Sequence, residues 1–261
     1  MKVQANGINV NVEISGNPDG STVIMSHSLA CNLSMWEPQL SILEPDFKVI
    51  RYDTRGHGQS DETRGPYDLE MLGTDALALM DALNLPSAHW IGISMGGMIG
   101  QYLAIHHAQR LQSLVLADTG PVMPEDAQPM WQNKIDLSTS EGMESLLDAT
   151  LEDWFTARYR DENPPALEKL RENFLAMPIE GYVGCIWAIR GLHLIERIKE
   201  IKIPTLIIVG KQDFGTPVEV SELMLSLIPG SEMVVIDDAA HLSSLNQPEA
   251  FNKALISFLK R

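Results

Sequence analysis

The chain has little cysteine, little positive charge and no long apolar run, and each shortage excludes a class of protein. Its 261 residues include only two cysteines, Cys31 and Cys185, which cannot form a disulfide framework and lack metal-site spacing. The 19 Lys and Arg residues face 35 Asp and Glu residues, and the resulting net charge of −16 argues against nucleic acid or an anionic membrane as a partner. No stretch approaches 18 apolar residues and no signal peptide is apparent, so we expect a cytoplasmic protein without membrane spans.

Short apolar runs alternate with stretches of helical periodicity over most of the chain. Residues 2–15 alternate in polarity around Asn6-Gly7 and predict a β-hairpin. Apolar runs that alternate with helices indicate a mostly parallel central sheet covered by helices on both faces, an α/β fold. The predicted strands are 22–26, 47–52, 88–91, 114–117, 205–209 and 233–236, and the clearest predicted helices lie at 69–83, 98–107 and 248–260.

The pattern changes between residues 122 and 198. This region is helical in character, rich in Met and Trp, and contains no convincing strand, and the proline-rich segment 120–124 marks its beginning. We therefore predict an α/β core formed by residues 1–121 and 199–261, with a helical cap at 122–198 inserted into it.

One segment carries most of the functional information. In Gly92-Ile93-Ser94-Met95-Gly96-Gly97, a serine lies between an apolar run and a helical stretch, in the order strand, G-x-S-x-G, helix. This order forces the serine onto a sharp turn with its hydroxyl exposed, as a nucleophile requires. An ordinary strand-to-helix turn with a serine N-cap is the alternative interpretation.

A serine hydroxyl needs a base, and the base needs an acceptor that orients it. His241 follows the last predicted strand, and Asp213 follows the strand before it, so both lie at the carboxyl end of the sheet, where such folds form their sites. The chain order Ser94, Asp213, His241 is the one expected of this fold. His57 is a weaker candidate for the base, with ordering of its loop as the preferred role, and Asp118 competes with Asp213 as the acid.

Acyl transfer also needs hydrogen-bond donors for the oxyanion. The backbone N–H groups of Met95, directly after the nucleophile, and of Leu29, in the loop after the strand 22–26, are the predicted donors.

With these residues in place, the chain resembles the α/β-hydrolase superfamily over about residues 20–258, and most of all the 3-oxoadipate enol-lactonases. The resemblance rests on Ser26-His27-Ser28-Leu29, on Arg51-Tyr52-Asp53-Thr54-Arg55-Gly56-His57-Gly58 and on the serine motif. It also rests on two cap segments, Trp154-Phe155-Thr156-Ala157-Arg158 and Gly181-Tyr182-Val183-Gly184-Cys185. It implies hydrolysis of a small ester or lactone, with neither metal nor organic cofactor.

An enol-lactone of this kind carries a carboxylate, which conflicts with a charge of −16 unless a local cation offsets it. The cap residues Arg158 and Arg190 are the predicted anchors, with solvated salt bridges as the alternative. Trp154 and Trp187 are further predicted substrate contacts, with core packing as the alternative for the two tryptophans. Other functions that fit the same residues are a general carboxylesterase, a cofactor-free perhydrolase and a non-catalytic small-molecule binding protein. A homo-oligomer is compatible with the sequence.

Overall fold

The structure is a computed structural model that describes residues 1–261, and its centre is a single eight-stranded sheet. The strand order is β1-β2-β4-β3-β5-β6-β7-β8. The first two strands and the β2–β4 pair are antiparallel, and every other neighbouring pair is parallel. The strands are β1 (Lys2–Ala5), β2 (Ile8–Gly16), β3 (Thr22–Ser26), β4 (Lys48–Tyr52), β5 (Ala88–Ile93), β6 (Leu111–Ala117), β7 (Thr205–Gly210) and β8 (Glu232–Ile236).

Helices cover both faces of this sheet, which explains why the central strands are continuous apolar runs. Every residue of β3 and of β7 is buried. The helices of the core are α1 (Glu37–Leu43), α2 (Leu69–Ala82), α3 (Met95–His106), α9 (Val218–Leu227), α10 (Ser243–Asn246) and α11 (Pro248–Leu259). The predicted mostly parallel α/β architecture is confirmed.

The predicted hairpin is present at the antiparallel edge of the sheet. β1 and β2 pair from Lys2 opposite Asn11 to Ala5 opposite Ile8. The two turn residues, Asn6 and Gly7, have φ angles of 45° and 79°. Asparagine and glycine adopt such left-handed angles most readily, which is why this dipeptide joins the two strands.

Five α-helices and no strand lie between β6 and β7. They are α4 (Gln128–Glu141), α5 (Glu144–Trp154), α6 (Ala157–Glu162), α7 (Pro165–Leu175) and α8 (Ile179–Arg190). The two ends of this region meet at an isolated antiparallel bridge between Val122 and His193, where the Leu194 N–H donates to the Pro121 carbonyl at 2.7 Å. We refer to α4–α8 as the cap; its boundaries at 122 and 198 stay a prediction.

Helix bounds differ from the sequence prediction where glycine is involved. The helix after the serine begins at Met95, three residues before the predicted start, because Gly96 and Gly97 belong to its first turn. The sequence analysis also did not identify α1 or α9.

Both cysteines are buried free thiols. None of the helices combines the length and the apolar character needed to span a membrane.

Candidate active site

Ser94 lies on a strained turn between β5 and α3. Its φ and ψ angles are 53° and −117°, a conformation that non-glycine residues rarely adopt. Hydrogen bonds from the neighbouring β6 region stabilise this backbone conformation. The Ser94 N–H donates to the Ala117 carbonyl of β6 at 2.8 Å, and the Ser94 carbonyl accepts from the Thr119 hydroxyl at 2.8 Å. The turn therefore presents the Ser94 side chain at the carboxyl end of the sheet.

Two glycines allow this turn to form. A Cβ atom on Gly92 would lie 2.1 Å from the carbonyl oxygen of Gly96, and a Cβ on Gly96 would lie 2.1 Å from the carbonyl oxygen of Ser26 in β3. Both contacts are with backbone atoms, which cannot move aside as a flexible side chain can. The glycines of the motif thus permit α3 to begin directly against the neighbouring strands.

The imidazole of His241 connects Ser94 with Asp213. Nε2 of His241 lies 2.9 Å from Oγ of Ser94, and Nδ1 lies 2.9 Å from Oδ2 of Asp213. Asp213 is fixed in turn by its own loop: its Oδ1 accepts from the N–H groups of Gly215 and Thr216, each at 2.9 Å, and its Oδ2 accepts from the Thr216 hydroxyl at 2.7 Å. The structure thus brings together the three side chains that the sequence analysis selected.

The electrostatics of Asp213 and His241 favour an ionised aspartate beside an imidazole that readily accepts a proton. Burial by itself would lower the pKa of His241, but the Asp213 carboxylate outweighs it, and the pKa lies above the ordinary value. Burial likewise opposes ionisation of Asp213, yet His241 and the donors from Thr216 hold the pKa of that carboxyl below its ordinary value. Asp213 is therefore ionised at neutral pH and stabilises a proton on His241.

Asp118, the competing acid, occupies a different position. Its Oδ1 accepts from the Gly210 N–H at 2.8 Å, and its Oδ2 accepts from both the N–H and the hydroxyl of Ser243, at 3.0 and 2.6 Å. It makes no hydrogen bond with His241. Burial, reinforced by the neighbouring Asp213, raises the pKa of Asp118 to about 7. Asp118 connects the end of β7 to the residues that follow His241. Of the two carboxylates, Asp213 is the one that is hydrogen-bonded to the imidazole.

Two backbone N–H groups in the neighbourhood of Ser94 have no acceptor: Leu29 lines the same cavity as Ser94, and Met95 directly follows it. The Leu29 N–H has no acceptor in the protein, and Met95, as the first residue of α3, has no carbonyl one turn earlier in its helix. The loop containing Leu29 is held by two buried histidines: His57 Nε2 accepts from the Ala30 N–H at 3.0 Å, and His27 Nε2 accepts from the Thr54 N–H at 2.9 Å. His57 is thus bonded to the Leu29 loop through Nε2 and lies 3.2 Å through Nδ1 from the Arg55 carbonyl of its own loop, and His27 has a similar loop-connecting role that the sequence analysis missed.

A cavity of about 390 Å³ between the core and the cap opens onto Ser94 and His241. Fifteen of its 27 lining residues are hydrophobic, so it suits a small and largely apolar molecule. The cap contributes Trp131 and Trp154 to the wall. No group of three or more His, Cys, Asp or Glu side chains is arranged to hold a metal ion.

Comparison with known proteins agrees with this geometry. A family model described as the alpha/beta hydrolase fold matches residues 21–248. The chain belongs to the α/β-hydrolase family. The prediction of a hydrolytic enzyme is thereby confirmed.

Individual relatives of this α/β hydrolase cover its whole length. It is 37% identical over 257 residues to the 3-oxoadipate enol-lactonase 2 of Acinetobacter baylyi, covering 98% of this chain and 95% of that protein. The crystal structure of the enol-lactonase from Burkholderia xenovorans LB400 is 35% identical, with a TM-score of 0.97 and complete coverage of both chains. A thermophilic esterase from Thermogutta terrifontis is 27% identical, with a TM-score of 0.92, covering 100% of this chain and 97% of that one.

Three of the four cap residues predicted to contact substrate lie outside the cavity of the hydrolase, and these expectations require correction. The Arg158 side chain is 74% exposed and pairs with Glu162 one helical turn away. Arg190 donates to the side chains of Gln128 and Gln132 and covers the ring of Trp187, which is itself 42% exposed. Only Trp154 lines the cavity.

The cationic side chain that does line the cavity is Lys134, which the sequence analysis did not single out. It lies on α4, three residues after Trp131 and four before the buried Ser138. That spacing places Lys134 on the inward face of its helix, a signal that the sequence contained.

Proposed function

We propose that this α/β hydrolase cleaves a small ester or lactone through Ser94, His241 and Asp213, with 3-oxoadipate enol-lactone as the substrate. The observation that carries the proposal is the single imidazole hydrogen-bonded at 2.9 Å to both the serine hydroxyl and the aspartate. A serine hydroxyl becomes an effective nucleophile when a positioned base accepts its proton, and Asp213 holds the imidazole with its Nε2 free to do so.

In the first step, Ser94 Oγ attacks the substrate carbonyl carbon as His241 Nε2 takes the hydroxyl proton. The carbonyl oxygen acquires negative charge, and we place it between the N–H groups of Leu29 and Met95. A donor of this kind contributes roughly 2.7–4 kcal/mol to the transition state. The ionised Asp213 stabilises the imidazolium that forms.

In the second step, the tetrahedral intermediate expels the leaving oxygen, which takes the proton from His241. In a lactone that oxygen stays attached to the acyl chain, so no fragment leaves at this stage. Water then attacks the acyl-enzyme with His241 as base, and His241 returns the proton to Ser94 Oγ as the acid is released. The enol formed at the leaving oxygen tautomerises, losing its hydroxyl proton and gaining one at carbon, so that a single keto acid results. No step of this sequence calls for a metal or an organic cofactor.

The choice of lactone rests on the relatives. Two of them, at 37% and 35% identity over nearly the whole chain, are enol-lactonases. A carboxylesterase acting on short acyl esters is the second candidate, because the structural neighbour at 27% identity is an esterase and the same three residues would serve both reactions.

The test is a paired assay of wild type and Ser94→Ala on 3-oxoadipate enol-lactone and on p-nitrophenyl butyrate. The proposal predicts a large preference of the wild type for the lactone in kcat/KM, lost in Ser94→Ala. Fast Ser94-dependent ester cleavage with negligible lactone turnover would support the esterase. Absence of both activities, with no labelling of Ser94 by a serine-directed phosphonate, would overturn the proposal in favour of a binding protein.

A further inference from the structure

The peptide between Ser28 and Leu29 is held in one orientation by hydrogen bonds to its carbonyl oxygen. That oxygen accepts from Nδ1 of His27 at 2.7 Å and from the Cys31 N–H at 3.1 Å. The peptide is trans and planar, so its N–H points away from the oxygen. With the oxygen held by these two donors, the Leu29 N–H is directed the opposite way. Ser28 and Leu29 both line the cavity, and the Leu29 N–H has no acceptor in the protein.

The hydrogen bonds of His27 determine which ring nitrogen carries the proton. Nδ1 faces a carbonyl oxygen, which can only accept, whereas Nε2 lies 2.9 Å from the Thr54 N–H, which can only donate. The ring is therefore neutral, with its proton on Nδ1. Burial lowers the pKa of His27 despite the nearby Asp53 carboxylate, which agrees with a neutral ring. The side chain has no exposed surface, so solvent cannot replace either bond.

The turn that contains Leu29 needs this support from outside. Ala30, the next residue, has a φ angle of 57°, a left-handed conformation that is unfavourable for a residue with a Cβ atom. Its N–H is held by Nε2 of His57 at 3.0 Å. The peptides before and after Leu29 are thus each bonded to a buried histidine. The other proposed oxyanion donor, the Met95 N–H, is fixed by the start of α3 and has no such requirement.

We propose that His27 is a positioning residue of the oxyanion hole: its Nδ1–H holds the Ser28 carbonyl and thereby aims the Leu29 N–H at the oxygen that becomes negative. The same bond polarises the peptide and makes its N–H a stronger donor. The inference rests on the proposed function, because it requires a carbonyl oxygen that acquires charge beside Leu29. That charge exists only after attack, so His27 should contribute to kcat rather than to KM.

Two substitutions separate the two bonds of His27. The glutamine amide reaches the position of Nε2 and can accept from the Thr54 N–H, but it leaves no donor at the position of Nδ1. The asparagine amide places a nitrogen at the position of Nδ1 and can donate to the Ser28 carbonyl, but it does not reach Thr54. Loss of a whole oxyanion donor lowers kcat by about 10²–10³, so we expect His27→Gln to lower kcat about 10-fold or more, with KM within about threefold. His27→Asn should keep kcat within about threefold of wild type.

Substrates that differ only at the carbonyl oxygen report on the oxyanion hole directly. We would compare 4-nitrophenyl butyrate with 4-nitrophenyl thionobutyrate, whose sulfur is a weaker hydrogen-bond acceptor. The ratio of kcat/KM for the oxygen ester to that for the sulfur ester should fall about fivefold or more in His27→Gln. In Asp213→Asn the two rates should fall alike, since both substrates use the same base. His89→Gln is the matched control: it removes a core histidine whose Nδ1 lies 2.8 Å from Oγ of Ser113, and both rates should stay unchanged.

The proposal is overturned by an unchanged ratio in His27→Gln, or by a loss of kcat in His27→Asn as large as that in His27→Gln. Circular dichroism shows which variants fold. If only His27→Asn folds, a kcat near that of wild type supports the proposal, and a loss of about 10-fold or more refutes it.

If neither variant folds, the wild type provides the test. A phosphonate adduct on Ser94 places an anionic oxygen beside Leu29, and the proton NMR signal of His27 Nδ1–H should then move downfield, because bonded peptides polarise one another. An unmoved signal would refute the proposal. The proposed function fails separately, since it requires Ser94-dependent turnover by the wild type, whereas this inference concerns how that turnover responds to His27.

Discussion

The sharpest consequence of the site concerns Asp213→Asn. Oδ1 of Asp213 accepts from two backbone N–H groups, whereas Oδ2 faces the Thr216 hydroxyl and Nδ1 of His241. The asparagine oxygen must take the position with the two fixed donors, which leaves its NH₂ group beside His241. Nδ1 then accepts a hydrogen bond, and the proton of the neutral imidazole moves to Nε2, where it faces Ser94 and blocks removal of the hydroxyl proton.

The wrong tautomer removes the general base while the geometry is retained, and the same change in a serine protease lowers kcat about 10⁴-fold. That corresponds to roughly 5.5 kcal/mol of transition-state stabilisation. We expect a loss of this size in kcat for p-nitrophenyl butyrate at pH 7–8. Circular dichroism and thermal unfolding should show a folded variant.

Asp118→Asn is the matched control, because it makes the same substitution at a buried aspartate nearby. Its amide would deprive one backbone donor of an acceptor, so we expect a stability loss of about 1–3 kcal/mol with kcat within about tenfold of wild type. The ionised Asp118 raises the pKa of His241, but the pKa of Asp118 is itself about 7, so Asp118 is largely neutral at acidic pH and its removal should leave the acidic limb of kcat/KM nearly unchanged. The reasoning fails if Asp213→Asn keeps more than about a hundredth of the activity while Asp118→Asn loses about 10³-fold or more.

Two further predictions concern stability. In Gly96→Ala, the new Cβ would lie 2.1 Å from the Ser26 carbonyl oxygen, and this clash should outweigh the gain of about 1 kcal/mol in helix propensity. Thermal unfolding should show a lower Tm for Gly96→Ala than for wild type. In Gly191→Ala the new Cβ would lie 3.5 Å from its nearest neighbour, so this control should not lower the Tm. Equal Tm values for the two variants would contradict the prediction. Burial lowers the pKa of His57 from 6.5 to about 3, so the folded state binds fewer protons and loses stability as the pH falls below 6.5. The free energy of unfolding, measured with urea, should fall between pH 7 and pH 5 by about 2 kcal/mol less in His57→Gln than in wild type. The same fall in both proteins would refute a neutral, buried His57.

The core of the site was predictable because local sequence determines it. Ser94, Asp213 and His241 each follow an apolar strand, and the carboxyl ends of parallel strands lie at one edge of a sheet. Once those strands are recognised, the three side chains are placed at the same edge of the sheet, however far apart they lie in the chain. The glycines on either side of Ser94 are explained in the same way, by the approach of backbone to backbone.

The wall of the cap was harder to predict, because it depends on how each helix is rotated. Helix α8 buries Tyr182, Cys185, Ile186 and Ile189, a stripe at helical spacing that excludes Trp187. This stripe indicates that Trp187 lies on the other side of the helix, away from the cavity. For Arg158 the local sequence contains a different signal. Glu162 lies four residues later on the same face of α6, and the two side chains pair on the exposed surface, outside the cavity.

Hydrogen bonds join the cap to the loop that follows His241. The carbonyl of Trp154, at the end of α5, accepts from the Leu242 N–H at 3.1 Å and from the Asn246 side chain at 3.3 Å. Leu242 directly follows His241 in the chain. A cap that moved away from the core at this point would lose the hydrogen bonds that hold Leu242, the residue next to His241. The end of α5 is therefore the part of the cap whose position is most directly connected to that of the general base.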